Sequence, residues 1–337
     1  VTSGHPVQDR ALTPVPCANP LCSPDLSVIV VNYNTAHLLE RCVQALRKAC
    51  EGLSFELVIV DNASRDESAS YIREHFPWAK LIANPINVGF GRANNQAVQI
   101  CTAPYILLLN ADAYVYPDAI RQSLKHMANE PHCGVLGAHL VDETGHGIFS
   151  GRRFPSSWET FLLRTGLLPR LGRRPPEPAE APTQSPVQDC DWVVGCYYLV
   201  RRSLIDQVGL FDPRYFLYYE EVDHCLAVHA AGWRVQCLNT ACVTHVGGGS
   251  AATEGALSVG RQISLFQQES GLLYFRKHGG LLGVWRHAAL CFLTEVVLGL
   301  KFVLKSRRIS GLSAFTQQAR MICRLMWQTR AGSRPTR

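Results

Sequence analysis

The sequence is poor in the patterns that would place it quickly. Its thirteen cysteines include no C-x-x-C pair, and the nearest approaches to metal spacing, Cys17/Cys22 and Cys237/Cys242, have four residues between them. No His-x-x-x-His accompanies either pair, which disfavours a structural zinc. An odd, scattered set reads instead as the reduced thiols of a cytosolic protein. Val1 to Asp25 has no apolar core segment, so no signal peptide is expected there, and its prolines suggest a loose arm. No internal repeat is visible. Acidic residues almost vanish near the C-terminus: from Arg276 onward twelve Lys and Arg face Glu295 alone. That stretch carries +11 in a chain of net +6, which leaves −5 for the remainder. The basic character is local to the C-terminus, and no nucleic-acid partner is expected. General disorder is excluded by an ordinary composition, 47% hydrophobic and 18% charged.

The dinucleotide fingerprint is incomplete as well. Asn87 to Asn95 contains Gly89-x-Gly91, but the third glycine is missing and the segment lies far past the first strand, where a Rossmann glycine turn belongs. An oxidoreductase is therefore disfavoured. Glycines that let the backbone approach a nucleotide closely, with Asn94 and Asn95 beginning a helix, suit the stretch better. The early Gly-rich, basic phosphate loop of a nucleotidyltransferase is also lacking.

What the sequence does contain is a set of polar clusters, each ending an apolar run. Asn32-Tyr33-Asn34, Asp61-Asn62-Ala63-Ser64, Asn110-Ala111-Asp112 and His245 all stand at such ends. An apolar run of about five residues reads as a buried parallel strand. Open α/β sheets bind ligands at the C-terminal edge of their strands. Strands are predicted over 27–31, 55–60, 79–83 and 105–109. Helices are predicted over 35–49, 66–76 (with Ser64 and Asp66 as candidate N-caps) and 91–100. This alternation implies right-handed βαβ crossovers and a mostly parallel, Rossmann-like central sheet with flanking helices. Further strands are expected over 135–141 and 192–200, and a helix over 220–231 closed by Gly232. Six prolines between Pro169 and Pro186 predict a mobile surface loop over 169–189.

Each cluster has a plain structural reading beside the chemical one. Asp61 can merely form a capping turn, or it can accept hydrogen bonds from a base or ribose, which we favour. Asp112 ends the most apolar strand, where a carboxylate is costly unless it is paired or binds a cation. A divalent ion shared with a diphosphate would stabilise it, and His245 suits Mn²⁺ as well as Mg²⁺. Glu220, Glu221 and Asp223 can simply be favourable acids at a helix start. Three carboxylates behind the aromatic run Tyr215 to Tyr219 exceed what capping needs, and apolar walls raise a carboxylate's pKa toward that of a general base.

Six motifs together resemble the family 2 glycosyltransferases of the GT-A fold, especially bacterial rhamnosyltransferase-like members. They are Val31–Asn34, Val60–Ser64, Asn87–Gly91, Leu109–Asp112, Gly209–Asp212 followed by Tyr219–Asp223, and His245–Ser250. The resemblance runs from about Leu26 to Ser250. It implies inverting transfer from a nucleoside diphosphate sugar, with dTDP-L-rhamnose as the first candidate donor and another such as a UDP-sugar as the alternative. The acceptor would be a lipid-linked glycan or a polysaccharide. The donor would lie on Asn32, Asn34, Asp61, Asn87, Gly89, Asn94, Asn110 and Asp112. Asp112 and His245 would hold Mg²⁺ or Mn²⁺, Glu221 would take the acceptor proton, and Trp192, Gly195 and Tyr219 would meet the acceptor. Two departures stand out: Asn110-Ala111-Asp112 offers one carboxylate, and Glu220-Glu221 stands where many relatives have Glu-Asp, which leaves open which of the two is the base. A catalytically silent sugar-nucleotide or glycan-binding relative is the rival reading.

Residues 1–25 are expected to form an arm, 26–255 the transferase domain and 256–337 a helical region. Within the last, 261–278 reads as one helix and 281–304 as another, strongly apolar but carrying Arg286, His287, Glu295 and Lys301. A spanning helix needs about 20 mostly uncharged residues, and Glu295 near the middle is costly. An interfacial or re-entrant helix is favoured. A helix packed on protein, or on a second copy in a homodimer, comes next, and a true span last. The surrounding +11 suits an anionic membrane surface at the cytoplasmic face of the plasma membrane.

Overall fold

The computed structural model describes residues 23–148, 150–167, 185–247, 259–306 and 312–337. Its first half alternates as expected: β1 (Leu26–Asn32), α1 (Ala36–Ala49), β2 (Phe55–Asp61), α2 (Ser68–His75), β3 (Lys80–Ala83), α3 (Phe90–Val98) and β4 (Tyr105–Asn110). Then come β5 (Ala113–Val115), α4 (Ala119–Asn129), β6 (Cys133–Val141), β7 (Gly147–Ile148), β8 (Gly151–Arg152) and α5 (Ser157–Arg164). The chain continues through β9 (Val187–Asp189), β10 (Trp192–Val193), β11 (Tyr197–Arg201), α6 (Arg202–Val208), α7 (Glu220–Ala230) and β12 (Arg234–His245). Two helices, α8 (Val259–Ser306) and α9 (Leu312–Gln328), complete it.

The main sheet has the order β3-β2-β1-β4-β11-β6-β12-β5, with β11 antiparallel to both neighbours and β5 antiparallel to β12. The continuous apolar run of β4 is explained by cover on both faces. Leu107 and Leu109 join α1 residues such as Leu39 and Leu46, while Ile106 and Leu108 join Ala93 and Ala97 of α3 and Val228 of α7. Each buried leucine, isoleucine or valine among them contributes about 1.5–3 kcal/mol by leaving water. In α1 the buried Leu39, Cys42, Val43 and Leu46 recur at helical spacing, and Arg47 and Lys48 complement the dipole in its last turn. Register sets the edge: Asn32 pairs with Asp61, and Val31 with Asn110. Three of the four polar clusters therefore end side by side.

Two expectations are corrected. The strand expected over 192–200 is two, because Val194 to Cys196 turn between β10 and β11 and put β11 antiparallel against β4. Neither Ser64 nor Asp66 is the α2 N-cap: the helix starts at Ser68, and Ser64 instead accepts hydrogen bonds from Asn32 and the Asn34 N–H. The break expected between the two C-terminal helices at 279–280 is present: α8 is two helices joined at Gly280, whose φ of +62° and ψ of −156° are non-helical and carry no Cβ penalty in a glycine. Residues 1–22 of the expected arm, 168–184 of the Pro-rich stretch and Gly248–Ser250 lie outside the described residues.

Of Arg286, His287, Glu295 and Lys301 inside the apolar part of α8, the last three reach α5 or its C-cap residue, while Arg286 is exposed. Glu295 is ion-paired with Arg164 at 2.9 Å, His287 Nδ1 lies 2.8 Å from Ser157 Oγ, and Lys301 Nζ donates to the Thr165 carbonyl. The opposite side is apolar and open, with Leu282 81% and Leu304 79% exposed. Val284 and Ala288 of α8 pack on Ile322 and Leu325 of α9.

Candidate active site

The C-terminal ends of β1 and β2 are tied by Asn32. Its amide donates to Asp61 Oδ1 and to Ser64 Oγ, both at 3.1 Å, and its Oδ1 accepts from Thr35 at 2.6 Å. Asn32 is fully buried, so it orients Asp61 from below. Asn34, at φ +53°, accepts from the Arg65 N–H. Asn62 is a hub that the sequence reading left as a neighbour of Asp61. It donates to Asn87 Oδ1 at 2.9 Å and accepts from Asn84 and the Val88 N–H at 3.1 and 3.0 Å. These bonds shape the 84–89 loop. Gly89 (φ +89°) permits its closest contact, because a Cβ there would sit 2.5 Å from the Phe216 carbonyl. That carbonyl accepts from the Phe90 N–H at 2.9 Å, joining this loop to the segment before α7. Asn94 is buried in the first turns of α3 and donates to the Phe90 carbonyl, so it supports the loop from inside the helix.

Asp112 follows β4, and β5 leads the chain back along the sheet so that His245 stands opposite Ala113. His245 Nε2 and Asp112 Oδ1 are 3.5 Å apart, and the Val246 N–H donates to the Asp112 carbonyl. Burial opposes charge on His245, but the carboxylate of Asp112 and the thiol of Cys196 outweigh it and raise the imidazole to about 10. Among the described residues no cluster of three or more His, Cys, Asp or Glu forms a metal cage. One carboxylate with one imidazole still suits a divalent ion whose other ligands are diphosphate oxygens. Asn110 lies at the same edge, its N–H donating to the Cys196 carbonyl.

Tyr218 and Tyr219 enter α7 in the left-handed region, at φ +69° and +71°. Such a conformation costs energy in a non-glycine residue and fixes the start of the helix. Glu220 is 2% exposed, and its Oε2 has no hydrogen-bond partner. Burial, then the neighbouring Glu221, push its carboxyl well above the usual range. Glu221 is raised by burial too, opposed by Arg152 and by the Gly195 backbone that it faces. The turn between β10 and β11 thus delivers Gly195 to the helix start. The third acid is placed differently: Asp223 accepts from Lys277 at 2.7 Å, His278 at 2.6 Å and Tyr215 at 3.2 Å, all binding α7 to its surroundings. Burial opposes charge on Asp223, but His278 and Lys277 hold it ionised. Trp192 donates to the Arg153 carbonyl and carries the Arg152 guanidinium 5.5 Å from its ring, while Tyr219 packs on Tyr274. Arg152 is a residue the sequence reading missed, for it lies on a two-residue strand without a motif.

The model of glycosyl transferase family 2 matches residues 27–209. An N-acetylglucosaminyl-diphospho-decaprenol L-rhamnosyltransferase of Mycobacterium tuberculosis is 30% identical over 240 residues, covering 65% of this chain and 75% of that protein. Rhamnosyltransferase WbbL of Escherichia coli is 26% identical over 217 residues, covering 62% and 78%. Among solved structures, the mannosyltransferase PcManGT of Pyrobaculum calidifontis, in complex with GDP-Man and Mn²⁺, matches with a TM-score of 0.51 at 15% identity, covering 94% and 88%. The sheet order, the strand-edge residues and these matches agree: the chain belongs to glycosyl transferase family 2 and has the GT-A fold.

Proposed function

We propose that the chain moves a sugar, with L-rhamnose from its dTDP donor as first candidate, to a hydroxyl of a lipid-linked or polysaccharide acceptor, with inversion. The observation that carries the reading is the opposition of Glu221 and Gly195 on the same sheet edge that holds Asp61 and the Asp112–His245 pair. The rhamnosyltransferase relatives make rhamnose the first donor to try. Asp61, held by Asn32, accepts from the base or ribose. The loop 87–91, which Gly89 lets rest against the Phe216 carbonyl, borders the diphosphate; Asn34, Asn87 and Asn110 complete the donor side, and Asn94 supports the loop from inside α3. Asp112 and His245 would hold Mg²⁺ or Mn²⁺, which when bound supplies charge compensation to the leaving diphosphate. Glu221 takes the acceptor hydroxyl proton as the oxygen bonds to the anomeric carbon and the bond to the diphosphate oxygen breaks. Buried Glu220 keeps its proton and leaves the charge of the pair to Glu221. Trp192, Gly195 and Tyr219 bound the acceptor side.

We place residues 26–255 as the transferase domain and 256–337 as a helical region that lies on the inner face of the plasma membrane. The outward Leu282, Trp285, Leu300 and Leu304 supply an apolar face, and the inward pairing of Glu295 with Arg164 removes a charge from it. A donor panel with purified protein, Mn²⁺ and a prenyl-linked acceptor, read as nucleoside diphosphate release, tests the function. Acceptor-dependent release from one donor supports it. Tight donor binding without release from any donor would favour a silent sugar-nucleotide-binding relative.

A further inference from the structure

A cavity of about 1000 Å³ lies between the two C-terminal helices and shares no lining residue with the strand-edge site. Trp285 of α8 and Cys323, Met326 and Trp327 of α9 line it, together with Arg330 and Arg334. The indoles are open, 59% exposed at Trp285 and 81% at Trp327. Core packing does not leave two tryptophans in this state. Amphipathic rings of this kind belong at the boundary between hydrocarbon and head groups. Exposed Leu281 and Leu282 continue the apolar face from Trp285.

The two arginines are presented by a built turn. Arg330 and Ala331 are left-handed at φ +48° and +53°, followed by Gly332 at +71°. A Cβ on Gly332 would lie 2.3 Å from the Leu272 carbonyl, so the glycine lets the turn rest directly on α8. Buried Thr329 accepts from the Gly332 N–H through Oγ1 and from the Arg334 N–H through its carbonyl. Beyond the turn, the Thr336 N–H and hydroxyl both donate to buried Glu269. Two consecutive strained non-glycine residues persist only where the surroundings determine them. Neither Arg330 nor Arg334 has a carboxylate partner among the described residues, and no Asp or Glu follows Glu295 in the chain.

We propose that this cavity binds the phosphate-bearing head of an anionic membrane lipid. Arg330 and Arg334 meet the phosphate, and Trp285, Trp327 and Met326 cover the first carbons of the tail. Guanidinium forks match phosphate oxygens, and the aromatic walls have no use for phosphate alone. The proposal rests on the reading of the chain as working at a membrane surface, but not on its donor or acceptor.

The test is titration of the purified full chain with dihexanoyl phosphatidic acid below its micelle concentration, followed by tryptophan fluorescence and calorimetry. Dihexanoyl phosphatidylcholine and inorganic phosphate are titrated in parallel. Saturable binding of the phosphatidate is expected, with either comparison ligand weaker by about tenfold or more, the scale of one charge-assisted contact. Arg334→Gln and Arg330→Gly should each weaken it by about tenfold. Arg330→Gly suits the backbone at that position, so an unchanged melting temperature separates loss of the ligand contact from loss of fold. The charge-matched single variants Arg320→Gln and Arg324→Gln, outside the cavity, should each stay within about twofold. An equal loss in those controls, or equal affinity for inorganic phosphate or phosphatidylcholine, would overturn the proposal. If the chain binds anionic vesicles but not the short-chain phosphatidate, this proposal fails alone; if it binds neither, the membrane reading fails with it. Donor binding, measured in the same samples, reports the strand-edge site separately.

Discussion

Glu221 Oε1 lies 3.7 Å from the point where a Cβ on Gly195 would stand, so the carboxylate of α7 meets the turn between β10 and β11 with no side chain between them. In the proposed function this is where the acceptor hydroxyl meets the carboxylate. Glu221→Gln should lower turnover by roughly 10²–10⁴-fold, the usual scale of general base catalysis. Donor binding should hold, since the amide keeps the size of the side chain. Near-normal turnover in Glu221→Gln, with Glu220→Gln inactive, would move the base to Glu220.

Stability should depend on pH through Glu220. Its folded carboxyl titrates well above the unfolded one, so between the two values the native state holds a proton that the unfolded chain has released, and stability falls as pH rises. Glu220→Gln removes that fall. The variant should therefore gain stability relative to wild type as pH rises above about 4.3, the ordinary glutamate value. Urea unfolding at pH 4 and pH 8 reads the difference, and equal differences at both would contradict it.

Asp112→Ala should remove most activity, because the leaving diphosphate loses its charge compensation. His245→Ala should raise the Mn²⁺ concentration needed for half-maximal rate, as one of two protein ligands is lost. Full turnover in excess EDTA would sink the metal assignment.

Gly89→Ala places a methyl 2.5 Å from the Phe216 carbonyl at a φ of +89°. A destabilisation of about 1–3 kcal/mol is expected from the backbone strain alone. The 84–91 loop and the segment before α7 should loosen together, read as faster amide exchange at Phe90. An unchanged unfolding midpoint would show that the two loops yield without cost.

Replacing Leu282 and Leu304 by Ser should release the protein from anionic vesicles without changing its melting temperature, since both side chains are open to solvent. Binding should also fall with salt. Vesicle sedimentation that is indifferent to both would place the apolar face against protein instead.

The strand ends were legible in the sequence because a buried parallel strand has to be apolar throughout, and its first polar residue marks the sheet edge. Asn32, Asp61 and Asn110 follow from that rule, while the helix at Glu220 and its closure at Gly232 follow from acids in the first turn and a glycine past the last. The local pattern did not carry β11's reversed direction, which depends on a turn of three residues. Nor did it carry the Asp223–Lys277–His278 network, whose partners lie more than fifty residues apart in the chain. Arg152 had no signal at all.

The sequence by itself determined the layered α/β architecture, the acids and amides at the sheet edge, and the apolar, basic character of the last eighty residues. Periodicity and strand termination are local properties, and they need no partner to be read. Tertiary structure alone decided that Asn32 and Asn62 are struts, that β5 pairs with the end of β12 that carries His245, and that Glu295 of α8 pairs with Arg164 of α5 while Leu282 and Leu304 face outward. Each of these depends on which distant group supplies a hydrogen bond or a counter-charge, and chain spacing does not encode that choice.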